Sequence, residues 1–377
     1  MKILFVDDEV KILEGLERSL LMVADEDWDL EFVDSGPRAL ARLADDAFDV
    51  IVTDMRMPGM DGAEVLQRAR EIAPSTARLV LSGQMEASSA LSAIERAHQI
   101  LSKPCAAEQL CGILRSAVRF RRLLDGDVFR RAVVSADRLP AAPHIYREIR
   151  AELDRGDPAI ARVAVIAAKD PALTARLVHV ANSPFFGGGR RITGAIEAIQ
   201  RLGLPVLEAL AVAAAFERAD GSSRELDVVA LQARALRVAE LAARLRASEA
   251  GMAYLAGVLT GVGHLVVASA MPDEYDTTLV ATRASGRRLF VVERERWGTT
   301  HAEIGAYLLA LWGLPDAIVD AVAHHDGPSI AEVGVAPQLA AAVAVAAALD
   351  DGMPPSADDV ALLGPDAHAL IHAAEAA

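Results

Sequence analysis

The sequence is poor in cysteine, in aromatic residues and in uninterrupted apolar runs, and each shortage excludes a class of protein. Its 377 residues include two cysteines, Cys105 and Cys111, which are too few for a disulfide framework. Aromatic residues make up 4% of the chain and hydrophobic residues 53%, which favours closely packed helices over a β-sandwich. No apolar run free of charges reaches the length of a membrane span, so we expect no membrane segment.

Positive charge is also in short supply, because the formal net charge is −15. An acidic chain is a poor non-specific ligand for phosphate backbones, and no helix-turn-helix with a basic face stands out. The N-terminal run "MKILFVDDEV" ends in acids and does not resemble a signal peptide. We therefore expect a cytoplasmic protein that binds neither nucleic acid nor a membrane.

Short apolar runs alternate with amphipathic segments in the first third of the chain. This alternation predicts βαβ units and a doubly wound, five-stranded parallel α/β sheet. The strands are continuously apolar, as expected for a sheet that is covered on both faces. The five predicted strands are "KILFV", "LEFV", "DVIVT", "RLVL" and "QIL".

Polar residues stand at the ends of four of these strands: Asp7 and Asp8, Asp54, Ser82 and Lys103. Sites in open α/β sheets lie beyond the carboxyl ends of the strands, so these side chains should converge. Taken alone, any one acid could be a solvated loop carboxylate, and Asp8 could cap the helix that starts near Val10. Five such residues at four strand ends favour a shared site instead.

Three converging carboxylates repel one another unless a cation lies among them, and Mg²⁺ suits oxygen ligands of this kind. A carboxylate beside Mg²⁺ can attack a phosphoryl group and form an aspartyl phosphate. In such a site Lys103 would neutralise the new charge, and Ser82 would donate a hydrogen bond to a phosphoryl oxygen. The pattern therefore predicts phosphoryl transfer to an aspartate.

The runs "ILFVDDE", "VIVTDMRMPGMDG", "LVLSG" and "LSKPC" resemble the receiver domain of two-component response regulators. The resemblance implies a flavodoxin-like fold, with Asp54 as the phosphoacceptor and a sensor histidine kinase as partner. It further implies that Asp7, Asp8, Asp54 and the backbone carbonyl of Arg56 hold Mg²⁺. One position departs from the family pattern, because Ile100 stands where receivers usually have an aromatic switch residue. This departure puts the usual coupling from Ser82 to the surface in doubt.

We expect a receiver domain over residues 1–121, a helical connector over 122–138 and an all-α output domain over 139–377. The segment 106–124 has an apolar stripe at helical spacing. It is either the last receiver helix or part of a dimer seam, so a homodimer is possible.

After "LPAAP" the strand signals stop and helices follow one another. Asp170 should cap a helix that starts at Pro171. The stretch "LAGVLTGVGHLVVASAM", residues 255–271, predicts a buried helix in which Gly257, Gly261 and Gly263 permit close helix packing.

"DPALTARLVHVANSPFFG", "AIQRLGLPVLEALAV" and "HAEIGAYLLALWGLPDAIVDAVAHHD" resemble the HDOD family, a relative of HD-type metal phosphohydrolases. Thr260 and Gly261 occupy the positions of the His-Asp pair of true HD enzymes, so the resemblance implies a non-catalytic domain. Two metals need several imidazoles and carboxylates, which these two residues do not supply. A residual mononuclear site of His264, His301 and His324 is a second interpretation, and structural histidines are the commoner one.

These patterns favour a response regulator whose HDOD domain signals by binding an unknown downstream protein. A metal-dependent phosphodiesterase that uses the residual histidines is the first alternative. A cyclic-dinucleotide-binding module without turnover is the second.

Overall fold

The computed structural model describes residues 1–23, 28–74, 76–82, 97–119, 148–149, 152, 160–182, 190–204, 207, 223–311, 314–327, 336–364 and 371. The chain forms two compact units, of which the first contains Met1–Arg122 and the second contains most of the residues after it. The predicted connector, 122–138, lies outside the described residues. The domain boundaries at 121 and 139 therefore stay predictions.

The first unit contains a five-stranded parallel sheet with the strand order β2-β1-β3-β4-β5. The predicted α/β fold with a parallel sheet is therefore confirmed. Each strand lies within about one residue of its predicted position, because continuous apolar runs mark strands that are covered on both faces. The strands are β1 (Lys2–Val6), β2 (Asp29–Val33), β3 (Val50–Asp54), β4 (Ala77–Ser82) and β5 (Gln99–Ser102).

Four described helices accompany this sheet. Their apolar residues recur at helical spacing, so one face of each helix is available to cover the strands. The core between them includes Leu4, Ile51 and Leu66, all fully buried. The helices are α1 (Val10–Leu20), α2 (Gly36–Asp45), α3 (Gly62–Ile72) and α4 (Ala107–Arg119).

Helix α1 begins at Val10 as predicted, but Asp8 does not cap it. The N-cap residue is Glu9, whose side chain makes no capping hydrogen bond. The carboxylate of Asp7 instead accepts the backbone N–H of Glu9 at 2.9 Å, which fixes the turn after β1. Asp8 is thereby left exposed at the end of the strand.

The start of α3 packs directly on the end of β3. A Cβ atom at Gly62 would lie 2.2 Å from the carbonyl oxygen of Asp54, so only glycine permits this approach. Asp61 caps the helix by accepting the N–H of Glu64 at 2.8 Å. These contacts hold the backbone that carries Asp54.

The described part of the second unit is helical, which agrees with the predicted all-α domain. Asp170 caps α6 through the N–H groups of Ala172 and Leu173, as predicted. The helices are α5 (Ile160–Ala167), α6 (Pro171–Ala181), α7 (Ala195–Leu202), α8 (Val228–Leu245), α9 (Ala250–Leu259), α10 (Val262–Ala270), α11 (Pro272–Ser285), α12 (Leu289–Trp297), α13 (His301–Leu311), α14 (Asp316–His324), α15 (Pro337–Asp350) and α16 (Ala357–Leu363).

The apolar stretch predicted as one buried helix is divided in the structure. Helix α9 ends at Leu259 and α10 begins at Val262, with a turn at Thr260 and Gly261 between them. The expectation that no charge-free apolar segment reaches the length of a membrane span was wrong, because one segment does so by length and composition. Met252–Ala270 has 19 residues and a mean hydropathy of 1.6, but 83% of the segment is buried inside the structure, as in a core helix.

Two of the three glycines predicted to permit close packing do so. A Cβ atom at Gly257 would lie 2.4 Å from the Cα of Ala239 on α8. A Cβ atom at Gly263 would lie 1.8 Å from the carbonyl oxygen of His301, because α10 crosses α13 opposite Gly305. The third, Gly261, has a looser neighbour, since its Cβ would meet Leu231 at 3.4 Å.

Candidate functional site

The polar ends of β1, β3 and β5 meet at one edge of the sheet, as predicted. The ammonium nitrogen of Lys103 lies 2.5 Å from Asp7 Oδ2 and 2.6 Å from Asp54 Oδ1. All three side chains are largely buried, with exposed fractions of 22% for Lys103, 5% for Asp7 and 11% for Asp54. One cation therefore bridges two of the three predicted carboxylates.

The charge of Lys103 is held by its two partners. Burial alone would lower the pKa of Lys103, but the hydrogen bonds and charges of Asp54 and Asp7 outweigh it and raise the pKa. Lys103 therefore stays an ammonium ion and can neutralise negative charge at this edge of the sheet.

The carboxylate of Asp54 is oriented by contacts on both of its oxygens. Oδ1 accepts from Lys103, and Oδ2 accepts the backbone N–H of Arg56 at 2.7 Å. These two contacts hold the side chain at the end of β3, where it borders the turn that leads to α3.

A cavity of about 480 Å³ lies over the turn that follows Asp54. Its lining includes the exposed carboxylate of Asp8 and residues of the turn after Asp54. A cavity of this size is large enough for a phosphoryl group and a hydrated cation. The lining residues are Asp8, Met55, Arg56, Met57, Pro58 and Asp61.

The donor chemistry at this edge fits Mg²⁺, because the groups present are carboxylates and a backbone carbonyl. As they stand in the described part of the chain, no three His, Cys, Asp or Glu side chains are grouped closely enough to hold a metal ion. Lys103 neutralises Asp7 and Asp54, and Asp8 lines the cavity. An incoming cation would share these carboxylates with Lys103.

Ser82 is the last residue of β4, and it pairs with Ser102 of β5, directly before Lys103. Its backbone therefore lies at the predicted edge of the sheet. The side chains of Ser82 and Ile100 lie outside the described residues. The roles predicted for Ser82 as phosphoryl donor and for Ile100 at the switch position stay predictions.

The second unit contains a buried histidine cluster. The rings of His264 on α10 and His301 on α13 are stacked, with centroids 3.7 Å apart and planes at 22°. The structure thus brings together two of the three histidines of the predicted residual site. His264 Nδ1 is hydrogen-bonded to the hydroxyl of Tyr275, and burial, followed by the charge of His301, lowers the pKa of His264 well below its usual value.

His301 is held by a fully buried carboxylate. Its Nδ1 atom donates to Glu293 Oε2 at 2.7 Å, and its backbone N–H donates to the same oxygen at 3.0 Å. Burial lowers the pKa of His301, but the charge of Glu293 outweighs it and raises the pKa. On the far side, His301 Nε2 lies 3.9 Å from Asp326 Oδ2.

The third histidine of the cluster is His325 and not His324. The ring of His325 meets that of His301 edge-on with centroids 5.4 Å apart, and burial lowers the pKa of His325 to about 3. His324 is half-buried, and its Nδ1 atom donates to the carbonyl oxygen of Asp320 at 2.9 Å. Adjacent residues point to different sides at a helix end, and the sequence did not show which one faces inward.

Sequence reasoning missed the other groups of this cluster. Glu293 lies in the charged run "ERERW", which is typical of a solvated helix face, yet it is fully buried. Arg288 donates to the carbonyl oxygen of Asp326 at 2.6 Å and to its Oδ1 atom at 3.3 Å. The contact between Arg288 and Asp326 has no signal in the sequence, because the two residues are 38 positions apart.

A parallel sheet of this order carries the carboxylates of Asp7, Asp8 and Asp54 and the bridging ammonium group of Lys103 at one edge, as in a receiver-type α/β domain. This domain is followed by a helical domain with a buried histidine cluster. Family models match both parts: the "Response regulator receiver domain" matches residues 3–115, and the "HDOD domain" matches residues 139–328, about half of the chain. The chain is a response regulator that belongs to the HDOD family.

Curated relatives match mainly the receiver region. The hydrogenase transcriptional regulatory protein HoxA of Cupriavidus necator is 34% identical over 130 residues, which are 34% of this chain and 26% of the relative. The response regulator MprA of Mycobacterium ulcerans is 30% identical over 150 residues, which are 40% of this chain and 63% of the relative. The chain thus spans less than two thirds of these relatives.

Solved structures cover a larger part of the chain. The MmoQ response regulator fragment of Methylococcus capsulatus is 28% identical, covers 61% of this chain and 92% of its own, and has a TM-score of 0.50. A virulence factor of Campylobacter jejuni is 20% identical, covers 65% and 93%, and has a TM-score of 0.52. The second likeness concerns the fold alone.

Proposed function

We propose that a sensor histidine kinase phosphorylates Asp54 and that the phosphorylated receiver controls the HDOD domain. The observation that carries this proposal is the orientation of Asp54, whose two carboxylate oxygens contact Lys103 and the N–H of Arg56. A cavity lined by Asp8 and by the turn after Asp54 lies at the same edge of the sheet. An oriented carboxylate of this kind can act as a nucleophile toward a phosphoryl group.

In the proposed reaction, Mg²⁺ would be held by Asp7, Asp8, Asp54 and the carbonyl oxygen of Arg56, and it supplies positive charge to phosphoryl oxygens. Lys103 stabilises the negative charge that the aspartyl phosphate adds, because its ammonium group already lies within contact of Asp54. Ser82 is the proposed hydrogen-bond donor to a phosphoryl oxygen, as its place at the end of β4 allows.

The HDOD domain is proposed to act without substrate turnover, by binding another protein. Two observations support this role. Thr260 and Gly261, at the positions of the HD pair, offer neither an imidazole nor a carboxylate. Furthermore, His264 and His301 are already engaged by Tyr275 and Glu293. Phosphorylation would change the exposure or the self-association of this domain.

Light scattering with and without Mg²⁺ and beryllofluoride tests the proposal, because beryllofluoride on an aspartate mimics the phosphoryl group. We expect a change of mass or hydrodynamic radius in the wild type and none in Asp54→Ala. Fluorine NMR on the same samples reports beryllofluoride binding itself. A wild type that binds no beryllofluoride in the presence of Mg²⁺ would refute the phosphoacceptor assignment.

A further inference from the structure

The histidine cluster of the second unit raises the question of whether it could hold a metal ion. It consists of His264, His301 and His325 together with the carboxylates of Glu293 and Asp326. HD-type hydrolases bind metals with these residue types, so the position of each donor atom decides whether a metal ion fits the cluster.

The two positions of the HD pair offer no metal ligand. The Thr260 hydroxyl is buried and donates to the carbonyl oxygen of Gly257 at 2.8 Å. Gly261 has no side chain to offer, and an added Cβ there would make only ordinary contact with Leu231 at 3.4–3.7 Å.

The imidazoles are positioned for packing rather than for coordination. His264 turns a ring face to His301 at 3.7 Å and has its Nδ1 atom on the Tyr275 hydroxyl. A ligand imidazole must instead point an unprotonated nitrogen at the metal. The backbones of α10 and α13 touch where Gly263 crosses His301, and this contact holds the two rings in their stack.

Two fully buried nitrogen atoms lack a hydrogen-bond partner among the residues that the structure describes, and both are candidate ligands. They are His301 Nε2 and His325 Nε2. Both rings have Nδ1 donating to an acceptor, Glu293 for His301 and the carbonyl oxygen of Val322 for His325. Their Nε2 lone pairs are therefore free, but protein zinc sites use at least three protein ligands.

A third ligand would have to be a carboxylate near His301 Nε2. Among the described contacts of that atom the only carboxylate is Asp326, which is already paired. Arg288 donates to its carbonyl oxygen and to Oδ1, and its Oδ2 lies 3.9 Å from His301 Nε2. The charge of Arg234 also acts on all three imidazoles. Two guanidinium groups supply the positive charge that a metal would otherwise bring to these carboxylates.

We infer that the cluster takes no metal ion and is instead a metal-independent structural centre of the HDOD domain. It joins four consecutive helices through side chains, with His264 on α10, Tyr275 on α11, Glu293 on α12 and His301 on α13. His325, directly after α14, closes it on the remaining side. This inference does not depend on the phosphorylation of Asp54.

Metal analysis of the full chain tests the inference. The protein carries Asp8→Ala and Asp54→Ala, which remove receiver carboxylates, and it is incubated with excess Zn²⁺ or Mn²⁺, desalted and analysed by mass spectrometry. We expect metal far below stoichiometric amounts, with no further loss on adding His301→Gln. A stoichiometric ion that disappears in His301→Gln or His325→Gln would overturn the inference.

Thermal unfolding gives a second test, because a metal site and a structural centre predict different changes of the melting temperature. We expect the melting temperature of the same protein to be unchanged by EDTA or Zn²⁺, and to fall in Glu293→Gln and His301→Gln to the same extent with and without chelator. His324→Gln, whose ring lies outside the stack, is the matched control and should melt like its parent. A rise with Zn²⁺ that His325→Gln abolishes would overturn the inference, because a ligand stabilises the state that binds it.

Discussion

The two domains gather similar charged groups in opposite surroundings. In the receiver domain, Lys103 bridges Asp7 and Asp54, while the neighbouring Asp8 is exposed and lines a cavity. In the HDOD domain, His301 lies between Glu293 and Asp326, and it is 1% exposed. The first cluster includes a side chain that solvent can reach, Asp8, whereas Glu293 and His301 of the second are buried among helices. Access to solvent therefore distinguishes the proposed phosphorylation site from the buried cluster of the HDOD domain.

The largest expected effect on phosphorylation comes from removing the carboxylate of Asp54, the proposed phosphoacceptor. Asp54→Asn should abolish phosphorylation by acetyl phosphate or kinase, because an amide is not a nucleophile toward phosphorus. Intact-protein mass spectrometry measures the added phosphoryl group. Asp45→Asn, an exposed carboxylate at the end of α2, is the control and should be phosphorylated like the wild type. A phosphorylated Asp54→Asn chain would place the acceptor elsewhere.

The next effect concerns the cation of the receiver site. Lys103→Ala should slow phosphorylation of Asp54 by roughly 10²-fold, the usual cost of removing one charge-stabilising group. The time course of the mass shift gives the rate. Lys2→Ala removes an ammonium group at the start of β1, where it pairs with Asp46, and should leave the rate unchanged. Equal rates for Lys103→Ala and the wild type would contradict the proposed role.

A smaller effect tests the closed packing of the HDOD domain. Gly263→Ala should lower the free energy of unfolding of this domain by about 1–3 kcal/mol, since its Cβ would overlap the carbonyl oxygen of His301. Denaturant titration followed by circular dichroism measures the change.

The matched control for this packing lies in the receiver domain. At Gly112 on α4 a new Cβ would meet no described residue outside its own helix backbone within 4 Å, so Gly112→Ala should be neutral or stabilising by up to about 1 kcal/mol. Equal effects of the two substitutions would show that the crossing of α10 and α13 is not tight.

The smallest effect compares one helix cap from each domain. Asp170→Ala removes a fully buried acceptor of two N–H groups, and Asp61→Ala removes an acceptor of one N–H group. We expect losses of about 2 kcal/mol for Asp170→Ala and about 1 kcal/mol or less for Asp61→Ala. Denaturant titration of both variants checks the order, and the reverse order would mean that burial does not strengthen these caps.

Local patterns predicted the receiver site well. Val50–Asp54 reads as a buried strand that ends in an acid, and the structure places Asp54 at that end beside Lys103. The prediction succeeded because parallel strands all end at one edge of a sheet, whatever the details of packing. The cap at Asp170 was predictable for a similar reason, since it depends on its own neighbours in sequence.

Patterns were less informative where long-range packing decides. The apolar composition of Met252–Ala270 did not show the turn at Thr260, and nothing in "HHD" showed that His325 faces inward while His324 does not. The burial of Glu293 and of Arg78, whose guanidinium contacts His98 at 2.9 Å, was equally invisible. Each of these outcomes depends on partners from distant parts of the chain.

The amino-acid sequence alone was sufficient for the alternation of strands and helices and for the five polar residues at the strand ends. These follow from local periodicity and from the topology of a parallel sheet. The family of each domain and the flavodoxin-like fold were implied by the resemblance of short motifs. The fold in three dimensions decided that Lys103 is shared between two carboxylates and that His264 stacks on His301. Such contacts depend on helix and strand positions to within about an ångström, as the crossing of Gly263 with His301 shows.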